Sequence, residues 1–319
     1  MSDLGRVVVL AGGLSHERDV SLRSGRRVSE ALRAVGIDVD ERDVGPELVS
    51  TLVADPPAAV FPVLHGAAGE DGSVREVLEL LHTPYVGSGP AAARVAWDKP
   101  TAKTVVAGAG IATPASVTLP EATFRDLGAG AVLDAVLERL GLPLVVKPAR
   151  GGSALGCTVV HRAEDLPAAM VTCFAYGDTA LLERFVTGTE VAVSVVDTGD
   201  GPRALPAVEI VPDGGVYDYA ARYTAGTTEF FVPARLDPTL ADAVEQVAVR
   251  AHRALGLRDL SRSDLIVDAT GQVQFLEVNV APGLTETSLL PQAADAVGLE
   301  LGTLYRDLAA LAVSRLAGS

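Results

Sequence analysis

The chain has 319 residues, 48% of them hydrophobic, and its 41 acidic side chains outnumber 26 basic ones for a formal charge of -15. A membrane-spanning helix is excluded because no apolar run reaches about eighteen residues, and disorder as the main state is excluded because there is ample apolar surface to bury. The acidic excess repels phosphate backbones and anionic lipid, so neither nucleic acid nor a membrane is an expected partner. Cys157 and Cys173 are too few for a disulfide framework and lack metal-ligand spacing. With no signal-peptide apolar core after the first residues, a reducing, cytoplasmic location is expected.

In chain order, Val7 to Leu10 reads as a buried parallel strand, followed by the Gly12-Gly13 turn and a helix over 20–35. A second apolar strand over 58–64 ends at His65-Gly66, and Val74, Val77, Leu78 and Leu81 recur at helical spacing. Helices are expected around 99–108 and around Leu133, Val136, Leu137 and Leu140, then a strand over 142–147 ended by Pro148. From there the pattern becomes strand-rich and antiparallel, with strands over 157–161, 180–185, 190–196 and 204–211. Residues 216–231 concentrate scarce aromatics without periodicity and read as an ordered loop over a site. A helix through Leu240, Val244, Val247, Ala251 and Leu255 precedes two strands around a turn at 268–271.

That last hairpin carries a geometric argument. If the turn pairs Asp268 with Gly271 or with Val273, Asp264, Glu277 and Asn279 share one face, because side chains alternate with period two. Two carboxylates and an amide oxygen there suit Mg²⁺ together with substrate phosphates. An even register would scatter them. Upstream, Lys147 ends a hydrophobic strand and precedes the loop Arg150-Gly151-Gly152-Ser153-Ala154, a candidate phosphate clamp that is not a P-loop because the lysine precedes the glycines. Lys147 is one of only three lysines, with Lys99 and Lys103; arginine supplies the remaining basic charge.

With these segments in view, the sequence resembles the D-alanine:D-alanine ligases, a family of ATP-grasp carboxylate-amine ligases. The resemblance runs through residues 11–21, 65–72, 97–99, 147–156, 183–190, 217–223, 262–264 and 277–289, in the family's order. It implies a mixed α/β ATP-grasp fold of three domains, taken here as 1–95, 96–186 and 187–319, with nucleotide between the central and C-terminal ones.

The implied activity joins two D-alanines with ATP through an acyl phosphate, for peptidoglycan precursors; a paralogue joining other amino acids in specialised metabolism or resistance is the alternative. By the same resemblance Lys99 and Lys147 hold nucleotide phosphates, with Ser153 and Arg222 also at the nucleotide. Glu183, Arg184 and Val186 line the adenine pocket, and Glu190 meets the ribose. Asp264, Glu277 and Asn279 match ligands of two Mg²⁺ ions, a set that Mn²⁺ also fits. Arg262 and the Gly283 N–H match an oxyanion hole. Ser288 and Leu289 match the second substrate's carboxylate site, while Glu17 and His65 match the first substrate's site. Glu17, Ser153 and Tyr223 resemble a hydrogen-bonded latch, and a homodimer is implied. The chain departs from the family pattern at Gly151 (usually acidic), Ala154 (serine), Arg222 (lysine), Ala67 (threonine) and Ser261 (glycine).

Overall fold

The computed structural model describes residues 4–215, 217, 221, 222, 224 and 226–317. Three sheets follow one another along the chain, a mixed α/β arrangement. In the first, β1 (Val7–Ala11) is wholly buried between parallel partners β2 (Val39–Asp43) and β3 (Ala59–Pro62). Parallel neighbours need a crossover, and the helices Arg18–Ala34 and Leu48–Ala54 supply it. β2 escapes the sequence pattern because it is an edge strand, and Asp40, Glu41, Arg42 and Asp43 leave no apolar run to read.

The second sheet contains β4 (Ser116–Pro120), β5 (Leu144–Pro148), β6 (Thr158–Val160) and β7 (Thr179–Arg184), antiparallel in the order β4-β7-β5-β6. Its own core joins Leu144, Val146 and Leu182 to Leu133 and Val136 of one helix and Met170 and Cys173 of another, Leu166–Phe174, which the sequence pattern did not reveal.

The third sheet is β8 (Gly188–Val196), β9 (Arg203–Ala204), β10 (Val208–Pro212), β11 (Thr228–Phe231), β12 (Leu260–Asp268) and β13 (Val273–Asn279). Its main path runs β11-β10-β8-β12-β13, antiparallel throughout. Alternation along β8 divides the packing. Val191 and Val193 face Val244, Ala248 and Ala251 of the helix Pro238–Ala254. Ala192 and Val196 belong instead to a core that contains Val7, Val9 and Phe61 of the first sheet and Tyr305 and Leu308 of the helix Leu301–Ala317. Phe61 and Tyr305 meet edge to face at 5.4 Å. Asp259 bonds Arg315 on that last helix and accepts from the Gly87 N–H at 2.7 Å, a second tie between first and third units.

Two expectations are corrected. The loop read over 216–231 ends as a strand, since β11 pairs with β10; Tyr223, assigned within it, lies outside the described residues. The hairpin register is also not odd at its turn. Val267 faces Val273, Ile266 faces Gln274 and Leu265 faces Phe275, an even register. A β-bulge that leaves Leu276 unpaired then changes the parity, so Asp264 faces Glu277 and Arg262 faces Asn279. Without that extra residue Glu277 and Asn279 would point to the opposite face from Asp264. The bulge, rather than the turn, assembles the acidic set.

Candidate active site

Two adjoining cavities of about 1010 and 920 Å³ lie where the three units meet, and both are lined by Lys99, Gly151, Gly152, Tyr217, Arg222 and Glu277. Every sequence-assigned site residue among the described ones lines at least one of them. Glu17, His65, Ser153, Arg262, Asn279, Gly283, Ser288 and Leu289 belong to the first; Lys147, Glu183, Arg184, Val186, Glu190 and Asp264 belong to the second.

The first cavity begins at the turn after β1. Gly12 adopts φ +95°, a left-handed conformation that favours glycine, and its N–H donates to Ser21 Oγ at 2.8 Å. Ser21 Oγ in turn donates to the Val63 carbonyl at 2.6 Å, tying the turn to the end of β3. Glu17 is thereby placed just ahead of the Arg18–Ala34 helix, and its carboxylate accepts a hydrogen bond from Ser153 Oγ, 136 positions away. Ser153 and Ala154 also have positive φ, 53° and 56°, so the glycine-rich loop curls toward the first unit. Lys99 Nζ donates to the Gly151 carbonyl of this loop at 2.6 Å.

His65 follows β3 and is buried, with Nε2 lacking a hydrogen-bond partner among the described residues. Burial pushes its pKa down and nearby Arg262 adds to this, with Glu17 opposing; the imidazole is neutral at pH 7. Close by, the buried Glu70 accepts from the Gly66 N–H at 3.1 Å, and burial together with the Glu17 charge pushes its carboxyl up to about 8. At the far wall a side chain on Gly283 would crowd Ser288 Oγ, which accepts from the Thr285 N–H at 3.0 Å.

Where the cavities join, Arg262 makes a bidentate pair with Asp264 at 2.7 and 2.9 Å, and Lys99 stands 3.4 Å from Glu277. Burial alone would raise the Glu277 carboxyl, but Lys99, Lys147, Arg222 and Arg262 hold it down at about 2. Asn279 Oδ1 accepts from the Ala281 N–H at 2.8 Å. Carboxylates on neighbouring strands with an amide oxygen beside them are hard-oxygen donors of the kind that suits Mg²⁺. Among the described residues no three His, Cys, Asp or Glu side chains stand together at metal-holding spacing.

The second cavity is a slot between sheets, with Val145, Leu155, Val159, Phe185, Val186, Ile266 and Leu276 as apolar walls and Lys99, Lys147 and Glu277 at its polar end. Glu190 lines it, and burial, opposed by Arg222, pushes its carboxyl up to about 7. Arg222 stacks 4.3 Å over the Tyr217 ring. Arg184 turns its Nε to the Leu140 carbonyl at 3.3 Å. Glu183 also lines the slot, and its two carboxylate oxygens bind Lys103 and Lys147, each at 2.5 Å. Lys103 was noted from sequence but given no role, and Glu70 was not singled out. The scarcity of lysine was the available signal for the first, and position inside the 65–72 motif for the second.

An apolar slot held between two antiparallel sheets, with lysines and carboxylates at one end, defines the ATP-grasp fold. The family described as D-ala D-ala ligase C-terminus matches residues 105–310, and its N-terminal counterpart matches residues 41–88. The chain is 42% identical over 305 residues to the D-alanine–D-alanine ligase of Syntrophotalea carbinolica, covering 96% of this chain and 95% of that one. It is 42% identical over 313 residues to that of Desulforudis audaxviator, covering 97% and 99%. The structure of the D-alanine–D-alanine ligase from Bacillus anthracis complexed with ATP superposes with a TM-score of 0.81 at 27% identity, over 99% of both chains. VanG D-Ala:D-Ser ligase from Enterococcus faecalis gives 0.82 at 28%, over 96% of this chain and 99% of that chain. The chain belongs to the D-alanine–D-alanine ligase family.

Proposed function

We propose that the chain joins two D-alanine molecules to D-alanyl-D-alanine at the expense of ATP, for peptidoglycan precursors. The observation that carries this reading is the junction of the two cavities at Arg262, Glu277 and Lys99: one cavity suits a nucleotide, the other two small zwitterions. The identity of 42% to a D-alanine–D-alanine ligase over nearly the whole chain supports it.

A free carboxylate is a poor acyl donor, so the first D-alanine carboxylate attacks the γ-phosphorus of ATP, releasing ADP and leaving an acyl phosphate. Lys99 and Lys147 sit at the polar end of the slot, where phosphate charge is best compensated. Asp264, Glu277 and Asn279 would hold Mg²⁺, which supplies charge neutralisation at the phosphate oxygens when bound. Glu17, fixed by Ser153, fits the ammonium of the first substrate, with His65 near its carboxylate. The second amine then attacks the acyl carbon and expels phosphate. Arg262, held by Asp264, and the Gly283 N–H fit the developing oxyanion, and Ser288 and the backbone of Leu289 fit the second carboxylate. Arg184, Val186 and Glu190 fit the base and ribose. Glu183 supports Lys147 through their ion pair.

The test is phosphate release from MgATP with D-alanine, D-serine and D-lactate in parallel. Release is expected with D-alanine and only when Mg²⁺ is present. Folded protein that binds ATP yet stays silent with saturating D-alanine would remove the reading, and faster turnover of D-serine or D-lactate would reassign the acceptor. The homodimer implied by the family is checked by light scattering, where a monomer mass would reject it.

A further inference from the structure

Of the three lysines in a chain that otherwise uses arginine, two stand at the nucleotide slot and the third is joined to it from behind through Glu183. Lys99 and Lys147 line the slot; Lys103 lines neither cavity. It lies one turn beyond Lys99 on the helix Lys99–Gly108, facing the same side, and only 4% of its side chain is exposed. Its Nζ donates to the Pro114 carbonyl at 3.1 Å and binds one oxygen of Glu183, whose other oxygen binds Lys147. The buried triad therefore carries two ammoniums on one carboxylate, a net positive charge whose accessible end is Lys147.

We propose that Lys103 is a positioning residue for nucleotide binding: by taking half of Glu183, it leaves the Lys147 ammonium charge available to phosphate rather than cancelled in a closed pair. The argument is one of charge count in a poorly solvated site. With Lys103 neutral, Glu183 and Lys147 form a self-compensated ion pair, and a phosphate must compete with the carboxylate for the only ammonium left. With Lys103 charged, Glu183 is already satisfied on one side. Burial tends to raise the Glu183 carboxyl, but Lys147 and Lys103 together hold it below the ordinary carboxylate range.

The inference rests on the nucleotide reading above, and the experiment separates the two. In K103Q the amide nitrogen keeps two N–H donors, one bond shorter in reach, and the charge is removed. Dissociation constants for MgADP are measured by calorimetry, and KM for D-alanine at saturating MgATP. The expected result is about tenfold weaker MgADP binding, with D-alanine KM within twofold of wild type and affinity largely restored in K103R. Unchanged MgADP affinity, or equal losses for both ligands with no recovery in K103R, would overturn the proposal. If K103Q does not fold, wild-type protein labelled at lysine ¹³Cε decides: MgADP should move the Lys103 signal together with that of Lys147, and an unmoved Lys103 signal overturns the relay. Wild-type protein that binds no MgADP would remove the functional reading as well; tight wild-type binding with an indifferent K103Q would remove the relay alone.

Discussion

Glu70→Gln should make the protein more stable, and increasingly so as pH rises. The Glu70 carboxyl is buried beside the Glu17 charge with one backbone N–H for a partner, and its pKa stands at about 8 against an ordinary 4.5. Between those two values the unfolded chain has released the proton while the folded chain keeps it, so the folded state binds more protons and stability falls as pH rises. The slope is about 1.4 kcal/mol per pH unit, about 3 kcal/mol between pH 5 and pH 7, and on the order of 5 kcal/mol over the whole window. Glutamine keeps a carbonyl to accept from Gly66 and carries no titrating proton. Urea unfolding at pH 5, 6, 7 and 8, followed by circular dichroism and by the fluorescence of the single tryptophan, Trp97, gives both stabilities. Glu190, also raised, to about 7, titrates alike in both proteins and cancels in the difference. A gap between variant and wild type that stays flat, or narrows with rising pH, would refute the argument that Glu70 is held protonated.

Arg262→Lys keeps a charge for Asp264 but loses the bidentate fork, so the fold should persist while kcat for dipeptide formation falls about 10²–10³-fold, the scale of a lost oxyanion donor. A rate within threefold of wild type would reject the oxyanion assignment. Ser153→Ala removes the hydroxyl that donates to Glu17; a hydrogen bond to a charged group contributes about 1.5–3 kcal/mol, so kcat/KM for D-alanine should drop about ten- to hundredfold. MgADP affinity should fall less than kcat/KM in that variant, and an equal loss there would show that the contact shapes the glycine loop rather than the amino-acid site.

Part of the candidate site was legible from residue pattern, Lys147 at a strand end and Asp264 and Glu277 on a hairpin, whereas Glu17 was reached only through the family resemblance. What was illegible depends on tertiary context. The Leu276 bulge is invisible to period-two reasoning, which predicted the correct shared face through the wrong turn register. β2 hides because an edge strand needs no apolar face. The pairing of Lys103 with Glu183 is not legible, because a helix and a strand far apart in sequence bring them within 2.5 Å.

The core shared by Val7, Phe61 and Tyr305 has a consequence for biosynthesis. As the polypeptide leaves the ribosome, the middle sheet has all its strands once residue 184 has emerged, and it can bury its apolar residues at once. The first sheet, although translated earlier, has this face only partly covered, by Val28 and Leu32 of the helix Arg18–Ala34, until the helix Leu301–Ala317 arrives. The earliest strands are thus among the last to be sealed, and the nascent chain carries a partly uncovered hydrophobic surface through most of its translation.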